Sequence, residues 1–419
     1  MNDMEMEKLH PAFKWFNATQ FLGAMNDNIL KLLIIFSLIS SRGADRAGII
    51  TAGVGAAFVL PFLICSAPAG CLADRFPKSQ VIIATKALEV VIALLALAVF
   101  YTGLDSCLYL VMFLMAAQSA LFAPAKYGVI PELASPSQLS HANGLVEAFT
   151  FLAIIFGTAL ASLLAQLASG RYWLASLFCL LVSLVGLWTA CQMPPTGLAD
   201  PSRRIRLLPG ELFRTFLHIR HCGHLMLAVN GLAFFWFIGA FAQLNLIGYG
   251  MQRLSLIQEE SGYLFLAAAL GIGAGSVLAA RLSGNGIKLG LVTVGAAGLV
   301  LAQLLLKLAP VSLAACLAII LLFGVSAGFF SLPLQTFIQA EAEPSMRGEV
   351  LAVSSFANWI GILLASAATF LFSGPLKLSA AEGFAHIGWL TLVMAIICLW
   401  RSPFMLQQMT SLFSGSKQP

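Results

Sequence analysis

Twelve apolar runs, each about as long as a bilayer is thick, recur along the sequence: near 13–40, 48–72, 79–102, 106–129, 141–168, 171–192, 224–249, 261–281, 286–308, 312–337, 349–373 and 382–406. A helix needs about 20 apolar residues to cross the hydrocarbon core, and helices and closed barrels are the structures that satisfy their backbone there. The runs therefore predict an all-α membrane protein with twelve transmembrane helices. Composition agrees. Of 419 residues, 59% are hydrophobic and 10% charged, where soluble domains carry about 25% charged residues. Mean hydropathy is +0.91. Such a chain has too little charge to cover a water-soluble surface, which excludes a cytosolic enzyme, a nucleic-acid binder and a disordered chain.

Between the sixth and seventh runs lies a polar stretch, 193–223, with Pro194, Pro195, Arg203, Arg204, Arg206, Arg214 and Arg220. It reads as a cytoplasmic linker between an N-terminal six-helix bundle (1–192) and a C-terminal one (224–419). Orientation follows from the basic residues. Lys8, Lys14, Arg75, Lys78, Lys86, Lys126, the five linker arginines, Arg281, Lys288, Arg347, Arg401 and Lys417 fall on one side or its helix ends. Arg42, Arg46, Arg171, Arg253, Lys307 and Lys377 fall on the other. That asymmetry places both termini in the cytoplasm. No cleavable signal precedes the first run, which is expected to remain as an anchor. The net charge of +5 matches loops facing anionic lipid. Eight scattered cysteines with no CxxC suggest neither disulfides nor zinc.

The halves look duplicated. Leu72-Ala73-Asp74-Arg75 returns 206 residues later as Leu278-Ala279-Ala280-Arg281, and Pro124, Lys126 and Glu132 return 209 later as Pro333, Gln335 and Glu341. Pseudo-symmetric six-helix repeats are the architecture of secondary transporters, with the substrate site between the halves.

Three motifs carry the candidate chemistry. In the first run, Asp27 and Lys31 are four apart and can pair on one helix face, with Asn26 and Asn28 beside them. Ionisable residues inside a spanning helix are functional by default. At the end of the fourth run, Pro124 and Pro131 bracket Lys126 and Tyr127, which predicts a kinked or broken helix. Glu147 follows in the fifth run, with Lys126 or Lys31 as its expected partner by sign of charge. Lys86 and Glu89, three apart in the third run, are placed to pair with each other. The third motif, Gly70-Cys71-Leu72-Ala73-Asp74-Arg75-Phe76-Pro77-Lys78, resembles the loop 2–3 signature of the major facilitator superfamily, departing at Pro77, where glycine is usual. The resemblance implies a conformational latch from Gly70, Asp74, Arg75 and Lys78, in which the Asp meets a helix N-terminus. A carboxylate there meets free N–H groups and the positive end of the dipole. Ala280 replaces the Asp in the second copy, which is expected to latch weakly or not at all.

Taken together, QFLGAMNDN in the first run, the AD-R-x-x-K loop, PAKYG-x-x-x-EL after the fourth run and ANGL-x-EA in the fifth resemble the lysophospholipid transporter family of the major facilitator superfamily. In the C-terminal half the likeness rests on Gly328-Phe329-Phe330 with Pro333-Leu334. It implies two bundles rocking about a central site in a bacterial inner membrane. It also implies a flippase moving lysophosphatidylethanolamine or lysophosphatidylglycerol from the outer to the inner leaflet, where an acyltransferase acts downstream. Some relatives carry that enzyme fused, but no HxxxxD occurs here.

The residues suit an amphiphile. Membrane-depth charges crowd the N-terminal half. The C-terminal half offers Asn230, Gln243, Asn245, Gln303, Gln335 and Asn358, with Phe234, Phe235, Phe237, Phe241, Phe329 and Phe330. Lys31 or Lys126 can hold a phosphate, Asp27 or Glu147 an ammonium, and Asn28, Tyr127, Gln243 and Gln335 can add hydrogen bonds. Taken singly, most of those phenylalanines are expected to serve packing. Gly271, Gly273 and Gly275 predict a close helix contact. No GxxxxGK[ST] occurs, so no ATP-driven pump and no cofactor is expected. His218, His221, Cys222 and His224 read as a solvated linker rather than a metal site. The rivals are a proton-coupled exporter of drugs or small amphiphiles and a membrane-embedded lipid enzyme. The latter lacks a catalytic constellation at membrane depth.

Overall fold

A computed structural model describes residues 9–43, 47–197, 209–256 and 258–401. Of the basic residues above, Lys8, Arg46, Arg203, Arg204, Arg206 and Lys417 lie outside the described residues. The described residues fold as thirteen α-helices: α1 (Ala12–Arg42), α2 (Ala47–Arg75), α3 (Lys78–Thr102), α4 (Leu108–Leu133), α5 (Leu139–Ala168), α6 (Tyr172–Cys191), α7 (Pro209–Ile219), α8 (Gly223–Leu254), α9 (Gln258–Ser283), α10 (Gly290–Leu308), α11 (Leu313–Glu341), α12 (Arg347–Ser373) and α13 (Ala380–Arg401). All but α7 are long and apolar enough to span a bilayer. They match the twelve runs to within a few residues, because the transition from apolar to polar composition fixes where a spanning helix can end.

Within the linker α7 forms, and its Thr215 is buried and donates to Glu349 at 3.0 Å. Of the two outcomes expected for α4, kinked or broken, the break does not occur. The helix runs through Pro124 and Pro131 as one element. Each proline deletes one donor and leaves the remaining ladder intact, whereas a break at membrane depth would free several backbone groups. Helix ends use local chemistry, as at Gly103. Its φ of 69° lets the backbone turn left-handed and donate to Val99 as α3 stops.

The helices cluster into two compact units. One takes in 1–135, 152–218 and 342–356; the other takes in 136–151, 219–341 and 357–419. The first turns of α5 and of α12 thus belong to a different unit from the remainder of each helix.

In the first unit, Ile29, Leu33, Ile34 and Leu38 of α1 pack with Val54 of α2, Ala96 of α3 and Val111 and Met112 of α4, all buried. In the second unit, α9 and α11 meet through glycine. A Cβ on Gly271 would stand 2.7 Å from the Leu321 oxygen, and one on Gly328 would stand 2.7 Å from the Ile272 oxygen. Gly324 and Gly275 are as crowded, while Gly273 meets Ala148 of α5 at ordinary distance. Lipid tails give helices no hydrophobic reason to associate, so this backbone approach and its dispersion contacts hold the pair. Gly324→Leu is therefore expected to lower the unfolding temperature in detergent by several degrees, from about 1–3 kcal/mol of overpacking. Gly239→Ala, with open space around it, should leave it unchanged.

Candidate functional site

Asp27 lies fifteen residues into the 31-residue α1, about 22 Å along it at 1.5 Å per residue, at the middle of a spanning helix. Around it, the first unit gathers polar side chains from α1, α3 and α4 in two layers. The inner layer is fully packed. Lys86 (1% exposed) pairs with Glu89 (4%) at 2.6 Å, and the second Glu89 oxygen accepts the Asn26 amide at 3.0 Å. The Lys86 ammonium also sits 5.3 Å from the Phe122 ring centre. Room for it comes from Gly23, where a Cβ would collide with the Lys86 Nζ. Lys86 is thus a packed intramembrane residue rather than one of the charges at a helix end.

The outer layer is half-buried: Asp27, Asn28 and Lys31. The spacing of Asp27 and Lys31 predicts a pair, but the structure gives each a different direct partner. Ser119 of α4 donates to Asp27 Oδ2 at 2.6 Å. Lys31 donates to Asn28 Oδ1 at 3.3 Å and lies over Phe58 of α2 at 5.3 Å. Asn28 in turn donates to the Ala24 carbonyl at 2.8 Å, which locks its rotamer and directs its oxygen to Lys31. Among the described residues, Asp27 Oδ1 has no hydrogen bond, and Lys31 has no acceptor besides Asn28. A carboxylate and an ammonium therefore stand at mid-membrane with unused hydrogen-bonding capacity. Ser119 was missed in the sequence because a lone serine in an apolar run carries no positional signal, whereas Asn26 was read there beside Asp27.

Lys126 is buried, with its ammonium 5.3 Å from the half-buried Tyr127 ring. In the second unit, Glu147 accepts the Ser331 hydroxyl of α11 at 2.6 Å. One turn earlier, Asn143 and Gln339 exchange two hydrogen bonds of 2.8 and 2.9 Å. Gln335 is half-buried and Gln243 exposed, while Asn245 donates to the Ala380 carbonyl at 2.7 Å. Phe241 packs edge-on against Phe372 and Phe384, a structural role. Phe234 and Phe330 instead line a cavity of about 200 Å³ together with Asn230.

The expected latch residues assemble within the first unit. Asp74 accepts the backbone N–H of Gly348 at 2.6 Å and of Glu349 at 2.9 Å, at the start of α12. Gly70 and Gly348 allow the approach: a Cβ on Gly348 would stand 2.7 Å from the Gly70 oxygen. Lys78 pairs with Glu132 at 2.6 Å. Arg75 stacks on Phe76 at 5.5 Å. Arg347, which opens α12, feels both Glu132 and Asp74, and Glu349 accepts from Thr215 of α7.

Residues 17–366 match a family model described as Major Facilitator Superfamily. Proteins named lysophospholipid transporter LplT are similar to this chain. That of Yersinia enterocolitica is 27% identical over 82% of this chain and 83% of its own length. Those of Escherichia coli O9:H4 and Cronobacter sakazakii are 27% identical over 91% of this chain and 93% of theirs. Among solved structures, the human organic anion transporter MFSD10 aligns with a TM-score of 0.75 at 18% identity, over 93% of this chain and 100% of that one. The outward-open transporter FucP aligns at 0.72 and 17%, over 93% and 98%. At such identities the structural likeness speaks for the fold.

The inner layer yields a stability prediction. Lys86→Met or Glu89→Leu alone strands a buried charge and should cost about 3–5 kcal/mol. The double variant should recover most of that loss, since an apolar pair of similar volume needs no ionic partner. Unfolding of the four proteins in detergent measures the coupling; strictly additive losses would exclude it.

Proposed function

Because this chain belongs to the Major Facilitator Superfamily, we propose that it is a lysophospholipid transporter that binds a zwitterionic or anionic headgroup at Asp27 and Lys31. One observation carries this reading. Opposite charges stand half-accessible at mid-membrane, each with a direct partner other than the other. A phosphate fits the Lys31 ammonium and an ethanolamine ammonium fits Asp27 Oδ1, each by a charge-assisted bond strengthened by the low dielectric. The names of the relatives support the substrate class. Lysophosphatidylethanolamine and lysophosphatidylglycerol are the lipids proposed. They move from the outer to the inner leaflet of a bacterial inner membrane, and an acyltransferase takes the product. Lys126, Tyr127, Glu147, Gln243 and Gln335 are proposed as further contacts along the headgroup's path.

The cycle proposed is alternating access by two bundles, both termini cytoplasmic, with no covalent step. In it, Asp74 holds the start of α12 in one state, aided by Gly70, which permits the approach, and by Arg75 and Lys78 flanking the loop. Release requires breaking two charge-assisted hydrogen bonds at a helix N-terminus, about 1.5–3 kcal/mol each. That is large enough to set a conformational equilibrium and small enough to be undone by a ligand.

Two measurements test this. In proteoliposomes, Asp27→Ala should reduce uptake of labelled lysophosphatidylethanolamine at least tenfold while the protein elutes as a folded species. Uptake at the unmodified rate would refute the headgroup role, and collapse of transport on removing a pH gradient would favour the proton-coupled exporter. Asp74→Asn should shift the conformational distribution, read by spin-label distances, about tenfold at unchanged lipid preference. Altered preference with normal cycling would count against the latch.

A further inference from the structure

The second unit contains the cavity of about 200 Å³ noted above, lined by α8, α10, α11 and α13 and apolar apart from Asn230, Thr293 and Thr391. Its depth is fixed by helix geometry. Leu227, Asn230 and Phe234 lie four to eleven residues beyond Gly223, where α8 begins, hence about 6–17 Å along the axis. Thr293 is in the first turn of α10, and Ala395 is six residues short of the end of α13 at Arg401. All of these approach the same end of the unit, within the roughly 15 Å occupied by the acyl chains of one leaflet.

Two observations say what fills it. First, Thr391 is bonded to Gln303 and the Ile387 carbonyl. Asn230 and Thr293, by contrast, have no hydrogen bond among the described residues. An amide and a hydroxyl without partners in an otherwise apolar cavity are costly, and the ester and glycerol oxygens of a lipid are acceptors that suit them. Second, the same end is basic. Arg220 precedes α8 and Lys288 precedes α10, both exposed, against Glu341 at the end of α11. Basic pockets between spanning helices suit anionic headgroups.

We propose that this cavity is a site for one anionic phospholipid of the surrounding bilayer. One acyl chain fills the space between Phe234 and Phe330, the ester region bonds to Asn230 and Thr293, and the phosphate pairs with Arg220 and Lys288. The site lies wholly in the second unit and does not depend on the transported substrate.

The test uses the full chain in detergent, given phosphatidylglycerol or phosphatidylethanolamine of matched chains, with retained lipid counted by native mass spectrometry. One phosphatidylglycerol should be retained in preference to phosphatidylethanolamine. Ala395→Phe, which places a ring in the cavity, should cut retention about tenfold. Arg220→Gln and Lys288→Gln should each reduce the preference about fivefold, at about 1 kcal/mol per basic residue. Thr293→Val, a near-isosteric change that spares the fold, should weaken retention of both lipids about fivefold. Equal retention of the two lipids by the unmodified protein would overturn the proposal. So would undiminished phosphatidylglycerol binding in both Ala395→Phe and Thr293→Val.

Discussion

An ionised side chain in hydrocarbon must have a partner or a purpose, and that constraint organises the first unit. Lys86, Glu89 and Asn26 answer it with partners: the carboxylate takes one bond on each oxygen, and its ammonium also faces an aromatic ring. Asp27 and Lys31 answer it differently. Each has a single neutral hydrogen-bond partner and partial access. The contrast separates charges that hold helices together from charges that can receive something, and burial makes the separation visible.

The second organising element is a close helix crossing that occurs twice. Gly70 and Asp74 of α2 meet Gly348 of α12; Ser276 and Ala280 of α9 meet Gly144 of α5. Gly70 to Ser276 and Asp74 to Ala280 are both 206 residues apart, and Gly144 to Gly348 is 204. A Cβ on Gly348 would stand 2.6 Å from Asp74 Oδ1, and one on Gly144 would stand 2.7 Å from Ala280 Cβ. The duplicated halves therefore share a backbone approach that glycine permits, while the group behind it has diverged from a carboxylate to a methyl.

Much of the fold was legible because hydrophobic length has one solution in a bilayer, and the twelve runs became twelve helices. Positions set by tertiary contacts were less so. A four-residue spacing shows that Asp27 and Lys31 share a face, but not that Ser119 and Asn28 would satisfy them first, since those bonds depend on the rotamer of each side chain and the rotation of α4. Pro124 and Pro131 suggested a kink or a break because proline is penalised in isolated helices; a break is avoided because within a membrane the cost of exposing further backbone outweighs one lost bond. The helix inside the linker escaped notice because eleven residues with Phe213, Phe216 and polar neighbours carry too short a period to separate from loop. Lys78 was grouped with Asp74 through the resemblance of the loop motif, which carries no sign of the salt bridge to Glu132 at the far end of α4.

The divergence between the two crossings bears on how such a chain moves. The first turns of α5 and α12 each belong to one unit while the rest of the helix belongs to the other. The alternating-access cycle proposed above would load both helices near those crossings. At Gly348 the load is resisted by two bonds to a carboxylate, in a helix start where the dipole adds to them. At Gly144 it is resisted by dispersion contact with Ala280 and by the Asn143–Gln339 amide pair one residue away, both of which are neutral. Charge-assisted bonds are roughly twice as strong as neutral ones, so the α12 crossing is held more strongly than the α5 crossing. The two crossings are therefore held by contacts of unequal strength, and the asymmetry traces to a single carboxylate at Asp74 where the second half has Ala280.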